Sequence, residues 1–230
     1  MPISDIWRCP LKSVPGERVD SAEIGAHGIV GDRRYALRDC TTGLGAGAEL
    51  VDVVDLDDRV IEVVTRAAMR AGGLRHRAVY LIVQSTSGAL LVHQRSFDKD
   101  IAPGWWDIAV GGVVAAGETY DVAARRELAE EIGVSDASIE PLGDGRYDDD
   151  PTTADARQDD GTHYEGIALH VLGRVYRVMH DGPFTFADGE VIAAEWVEPL
   201  RLPIVLAERG FCPDSLAVCL PFLGVLGTRS

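Results

Sequence analysis

Cysteine is scarce in this 230-residue sequence: there are four, Cys9, Cys40, Cys212 and Cys219, and none forms a C-x-x-C pair. A chain of this size has no need of disulfide staples, so free thiols in a reducing cytoplasm are expected. Positive charge is short as well: 22 Lys and Arg stand against 37 Asp and Glu, a formal net charge of −15. That balance argues against nonspecific nucleic-acid binding, so no nucleic-acid partner is expected. Long apolar runs are missing too. The start, MPISDIWRCP, lacks the apolar core of a signal peptide, and Asp214 and Pro221 interrupt the apolar stretch near the C-terminus. No membrane partner is expected either. There is no internal repeat. What remains is a composition, 46% hydrophobic and 26% charged, that suits a soluble globular protein with a substantial core in one or two domains.

The most informative stretch is Gly112 to Val134, GVVAAGETYDVAARRELAEEIGV. The apolar run Ile108-Ala109-Val110 before it suits a buried strand. Gly111 and Gly112 then permit positive φ and close approach of the main chain to a ligand. Thr119 is a suitable N-cap, and Asp121 complements the positive end of a helix. The residues from Ala123 to Ala129 are mostly good helix formers, and Gly133 suits a C-terminal stop. Ala124, Leu128 and Ile132 recur every four residues and form a core stripe. Glu127, Glu130 and Glu131 share another face at i, i+3 and i+4. Carboxylates so placed repel each other, and a hard divalent cation that prefers oxygen ligands would offset that. Arg126 is placed to pair with Glu127 or Glu130. Three glutamates alone would read as a solvated acidic face; Gly112, Glu118 and Arg126 at their set spacings argue otherwise.

This segment resembles the Nudix box at every specified position. The resemblance implies a metal-dependent hydrolase that cleaves a diphosphate bond in a small molecule, with Mg²⁺ as the cation and Mn²⁺ as its alternative. It implies that Glu127, Glu130 and Glu131 bind metal, together with the backbone carbonyl of Gly112. It also implies that Arg126 orients the glutamates and that Glu118 supports the site. A diphosphate substrate is an anion, as is the protein, so bound metal would have to reverse the local field.

Residues 1–45 form a separate compositional block of short strands between turns. Around Pro10-Leu11-Lys12-Ser13 and from Gly28 to Arg33 the block resembles the start of the MOSC N-terminal β-barrel domain. That implies local β structure and no sulfur-transfer or molybdenum chemistry. Residues 46–230 are expected to form the second domain. The pattern predicts a hairpin and short helix over 49–70, a strand over 76–84, a turn at 85–88 and a returning strand over 89–95. The order ELVDVVD, HRAV, LLVHQRS, PGWWD, then the box resembles the Nudix branch close to isopentenyl-diphosphate isomerase. It implies an α/β fold: an α/β/α sandwich with a mixed sheet, plus the small N-terminal β segment. Residues 143–165, rich in Asp, Gly and Thr, read as an extended, mobile, solvated loop. Residues 167–178 read as a strand pair, Ala187-Asp188-Gly189 as a turn, and Val191 to Val197 as a late strand. Nudix relatives often carry an acidic residue before that strand, as a metal ligand or base, and Glu190 stands there.

An isomerase would need a cysteine just before the box glycine and a histidine just after it. Here those positions are Gly111 and Val113, which can neither donate a proton nor bind metal through a side chain. His76 fits another isomerase position, though a lone histidine at a strand start is more often structural. Hydrolysis is therefore the leading reading, with Glu130 or Glu190 as general base and Arg126 as their organiser. Arg95 is a candidate for steadying a phosphate, Trp105 for stacking on a base, and Glu118 for supporting the substrate. The alternatives are a nucleotide-binding sensor without turnover and an interaction module. Relatives often form homodimers, so a homodimer is an expected assembly.

Overall fold

The structure, a computed structural model, describes residues 49–99, 101–149, 164, 167–186 and 189–226, and six short strands before them. The chain divides into two compact units, Met1–Leu50 and Val51–Ser230. In the first, β1 (Ile6–Arg8), β2 (Glu17–Val19), β5 (Tyr35–Arg38) and β6 (Gly45–Ala46) form an antiparallel sheet in the order β2-β1-β5-β6. The strands β3 (Ile24–Gly25) and β4 (Gly28–Ile29) form a separate pair.

The second unit is built around β9 (His76–Gln84). Its run of β-branched and aromatic residues is buried almost throughout, the mark of a strand covered on both faces. It is preceded by the hairpin β7 (Leu50–Val54) and β8 (Val60–Thr65) and by α1 (Arg66–Ala71), as the pattern predicts. On one side β9 pairs in parallel with β14 (Leu169–Met179), which pairs antiparallel with β13 (Ile139–Asp149). On the other it pairs antiparallel with β12 (Val110–Val113), with Gly112 opposite Val79. The sheet is therefore mixed. The strand β10 (Leu90–Arg95) returns beside β9 only at Leu90–Gln84. It then pairs with β15 (Val191–Val197) and with β11 (Trp106–Asp107).

Alternation along β9 separates two cores. Val79, Leu81 and Val83 join Ala123, Ala124, Leu128 and Ile132 of α2 (Tyr120–Ile132). Ala78, Tyr80 and Ile82 join Leu202 and Val205 of α3 (Leu202–Glu208) and Val218 and Cys219 of α4 (Pro213–Leu226). Helices thus cover both faces of the mixed sheet, the expected sandwich. Cys212 and Cys219 are free and buried. Among the described residues no helix is long and apolar enough to cross a membrane.

Two expectations need correction. Residues 143–149 are not loop but the second half of β13, paired from Gly143–Val175 to Asp149–Leu169. Ladder hydrogen bonds do not depend on side chains, and the aspartates find partners: Asp144 with Arg174, and Asp148 with Arg75, Arg146 and His170. Residues 167–178 hold one strand, not a pair. Gly173, which invites a turn, sits in mid-strand because β9 and β13 bond β14 from both sides. Residues 150–163 and the Ala187-Asp188 part of the expected turn lie outside the described residues.

Candidate active site

The site starts where β12 runs beneath α2. A Cβ on Gly111 would lie 1.9 Å from the Val79 carbonyl oxygen, and one on Gly112 would lie 2.5 Å from Glu127 Oε1. Both positions need glycine because the main chain packs on β9 on one side and under a carboxylate on the other. The helix above is well terminated. Thr119 accepts from Val122 N at 3.3 Å, and Gly133, at φ 72°, closes the last turn in the left-handed region.

Arg126 organises the carboxylates. Its Nε and Nη2 donate to the two oxygens of Glu118 at 3.0 Å each, a bidentate pair. Nη1 donates to Glu127 Oε1 at 2.6 Å and Glu130 Oε2 at 3.3 Å, and Nη2 also reaches Val113 O at 3.1 Å. Glu118 accepts a further bond from Ala115 N at 3.0 Å. Burial works against the Glu118 charge, but the Arg126 and Ala115 bonds win and hold its pKa below the ordinary value. Glu127 goes the other way. Burial is the largest influence and raises its pKa, the Glu130 charge adds to the rise, and the Arg126 contact opposes it without winning.

Glu131 stands apart from this network, 5% exposed, with Gly111 N at 3.4 Å. Burial, and then the Glu127 charge, push its pKa up to about 8; Lys99 and Arg95 oppose the rise and Glu190 adds to it. The charges of Glu127 and Glu190 thus both act on Glu131, against those of Lys99 and Arg95.

A NUDIX domain model matches residues 74–214, more than half of the sequence. The chain belongs to the Nudix family. It is 34% identical over 171 residues to the uncharacterized Nudix hydrolase YfcD of Escherichia coli K12, covering 74% of this chain and 84% of that protein. An uncharacterized Nudix hydrolase of Pseudomonas aeruginosa, PA4841, is 32% identical over 74% of this chain and 90% of its own length. The crystal structure of DR0079 from Deinococcus radiodurans aligns with a TM-score of 0.58 at 26% identity, over 78% of this chain and 99% of that one. The protein is thus a hydrolase acting on pyrophosphate bonds. Nudix enzymes generally use divalent metals, and the chemistry of the donor set suits a hard cation: carboxylates around a glycine main chain. Among the described residues no three His, Cys, Asp or Glu side chains already stand together at metal-ligand spacing. Arg126 meanwhile keeps Glu118, Glu127 and Glu130 paired.

The other candidates divide. The Glu190 charge is felt at Glu131, and its carboxylate pairs with Lys99. Arg95 is not a surface strand arginine. Its side chain is largely buried, with Nη2 on Ile101 O at 3.2 Å and Nη1 4.0 Å from Asp107 Oδ2, and its charge is felt at Glu131. Trp105 packs partly buried against the core, its ring 6.1 Å from that of Tyr164, while Trp106 lies under the Arg209 guanidinium at 4.3 Å. His76 is buried with Nδ1 on Leu74 O at 3.0 Å, and burial lowers its pKa to about 4. Sequence reasoning passed over Lys99, which pairs with Glu190. Its local setting, Asp98-Lys99-Asp100, reads as solvated loop, and its partner lies 91 residues away.

Proposed function

We propose that this Nudix hydrolase cleaves a diphosphate bond in a nucleoside diphosphate derivative or similar small molecule, in a reaction that depends on Mg²⁺ or, alternatively, Mn²⁺. The observation that carries the reading is the Arg126 cluster: one guanidinium holds Glu118, Glu127 and Glu130 beside a buried fourth glutamate, Glu131. Glu127, Glu130, Glu131 and the Gly112 carbonyl would hold the cation. When bound, the cation supplies Lewis acidity and neutralises phosphate charge. Arg126 keeps the carboxylates oriented. Glu130, whose side chain is 47% exposed, or Glu190 takes a proton on a carboxylate oxygen as water attacks phosphorus. The P–O bond to the leaving phosphoryl group then breaks. Arg95 contributes positive charge near the transferred phosphoryl, and Trp105 borders the organic part of the substrate.

The order of motifs resembles the branch close to isopentenyl-diphosphate isomerase, but Gly111 and Val113 leave no side chain to move an allylic proton, so hydrolysis is the reading. Residues 1–45 are proposed as a MOSC-like β segment, the assembly as a homodimer and the compartment as the cytoplasm. The test is Mg²⁺-dependent hydrolysis of ADP-ribose, NADH, dinucleoside polyphosphates, coenzyme A, nucleoside triphosphates and isopentenyl diphosphate by the wild type and Glu130→Gln. Turnover of one compound, lost in the variant, is the expected result. Tight binding of a compound with no turnover under any metal would replace the hydrolase with a sensor.

A further inference from the structure

A tight turn, Ala115 to Glu118, joins β12 to α2. Glu118 N donates to Ala115 O at 3.0 Å, and Gly117 stands at φ 74°, which suits the third position of a type II turn. Glu118 Oε2 accepts from Ala115 N at 3.0 Å and closes the turn a second time. The sheet holds the approach to this turn: Val114 N donates to Arg77 O at 3.0 Å, and Ala115 bridges to Val51 of β7.

The next residue of β7 reaches further along the turn. Asp52 Oδ2 accepts from Gly117 N at 3.1 Å. Asp52 is 6% exposed, and a carboxylate at that depth needs partners. Arg77 Nη1 donates to the same oxygen at 3.3 Å. Arg77 is itself clamped to the tip of the β7–β8 hairpin, with Nε on Asp58 Oδ1 and Nη2 on Asp58 O, both at 2.6 Å. A continuous chain of hydrogen bonds therefore runs from the hairpin tip through Arg77 and Asp52 to Gly117, the residue before Glu118.

Glu118 passes the constraint on. Its two oxygens take Nε and Nη2 of Arg126, whose Nη1 reaches Glu127 and Glu130. Glu127 and Glu130 ride on α2 with the arginine, whereas Glu118 belongs to the turn ahead of the helix. A bidentate pair fixes the plane of the guanidinium, so its direction depends on where the turn sits.

We propose that Asp52 is a positioning residue for hydrolysis: by anchoring Gly117 N it sets Glu118 where Glu118 directs the Arg126 fork to Glu127 and Glu130. The kinetic consequence rests on the hydrolase reading above. An aspartate that only braced the hairpin would, when lost, lower stability and leave Arg126 undisturbed.

The Arg126 Nε–H resonance, observed by ¹H–¹⁵N NMR on the full chain without metal or substrate, separates the two. The signal is identified by its loss in Arg126→Lys. Asp52→Ala should speed its exchange with water about 10-fold or more, because the pair that shields it opens more often. Asp52→Asn keeps an oxygen for Gly117 N and should come within about threefold of wild type. On the panel compound that the wild type hydrolyses, Asp52→Ala should lower kcat about 10-fold with KM unchanged, since misplaced groups cost rate and not binding. Asp52→Asn should restore it. Asp52→Ser, too short for the same reach, serves should Asp52→Ala fail to fold. Asp214→Asn, on the other face of β9, supplies a destabilised chain for comparison. A wild-type chain without a slowly exchanging Arg126 Nε–H, an unmoved signal in Asp52→Ala, no rescue by Asp52→Asn, or an equal loss in Asp214→Asn would overturn the proposal. Should the wild type hydrolyse no compound of the panel, the hydrolase reading fails, while the Arg126 signal still decides whether Asp52 aligns the arginine.

Discussion

The two faces of β9 bury carboxylates in opposite ways. Under α4, Asp214 accepts from the Tyr80 hydroxyl at 2.6 Å and from Tyr164, and Asp107 accepts from Ser215 and from Ala109 N at 3.1 Å. Those four donors are neutral and most come from distant parts of the chain, with the Arg95 guanidinium 4.0 Å from Asp107 as well. Under α2, Glu118, Glu127 and Glu130 share one guanidinium, and Glu131 has little beyond a long contact to Gly111 N. The first arrangement is a satisfied core. The second divides one guanidinium among three carboxylates, beside a buried fourth. Burial alone therefore does not mark the working site; the kind of partner does.

The sharpest way to break this contrast is Arg126→Met. It leaves Glu118, Glu127 and Glu130 without their common cation, and turnover should fall about 100-fold or more, as when metal ligands lose their orienting group. Stability should drop by about 2 kcal/mol, less than for a fully buried pair because the arginine is partly exposed. Mg²⁺ should recover part of that loss, since a ligand that binds the folded state stabilises it. Steady-state kinetics and thermal melts with and without Mg²⁺ check this, and wild-type turnover would mean that Arg126 does not organise the site.

Protonation offers a second contrast. Burial lowers the pKa of His76 from 6.5 to about 4, and burial together with the Asp214 charge raises that of Asp107 from 3.8 to about 6. Between pH 6.5 and 4 the unfolded chain binds more protons at His76, so its contribution to stability is present above pH 6.5 and lost as pH falls toward 4. At Asp107 the folded chain binds more protons between pH 6 and 3.8, so that group favours folding as pH falls. Each effect is on the order of 3 kcal/mol across its window. Urea denaturation from pH 7 to 4 should show a shallower acid loss for His76→Gln than for wild type, and a steeper one for Asp107→Asn. Parallel curves for all three proteins would contradict the assignment.

On the satisfied face, Asp214→Asn should act on stability and not on chemistry. One charge-assisted bond to a tyrosine is lost, at about 1–2 kcal/mol by denaturant titration, while turnover stays within about threefold. A collapse of turnover instead would mean that the tyrosine pair serves the substrate and that the two faces are not divided as described.

What the sequence could reveal follows from distance along the chain. Arg126 reaches Glu127 and Glu130 one and four residues away, and Glu118 eight residues back, so spacing on one helix and its leading loop was enough to group them. Gly112 could be marked as a glycine needing close approach, although only the fold shows that Glu127 is what approaches it. Lys99 with Glu190, and Arg95 with Asp107, depend on strands that meet only in the folded sheet, and an aspartate-flanked lysine looks like solvent-facing loop. Residues 143–149 misled for another reason: their Gly and Asp lower strand propensity, but a complete ladder with β14 overrides it.

The smallest expected effect bears on whether α2 or Arg126 holds the acidic face together. Thr119 caps α2 by accepting from Val122 N, one residue after Glu118. Thr119→Ala should cost about 1 kcal/mol, because a first-turn N–H loses its partner. The Glu118–Arg126 pair is anchored independently, through the bidentate bond and Ala115 N. If that anchor is sufficient, the variant melts a few degrees lower but keeps its turnover and Mn²⁺ affinity below its melting temperature. If affinity falls in step with stability, the helix terminus is itself part of what aligns the glutamates, and the acidic face depends on the whole of α2 rather than on one arginine.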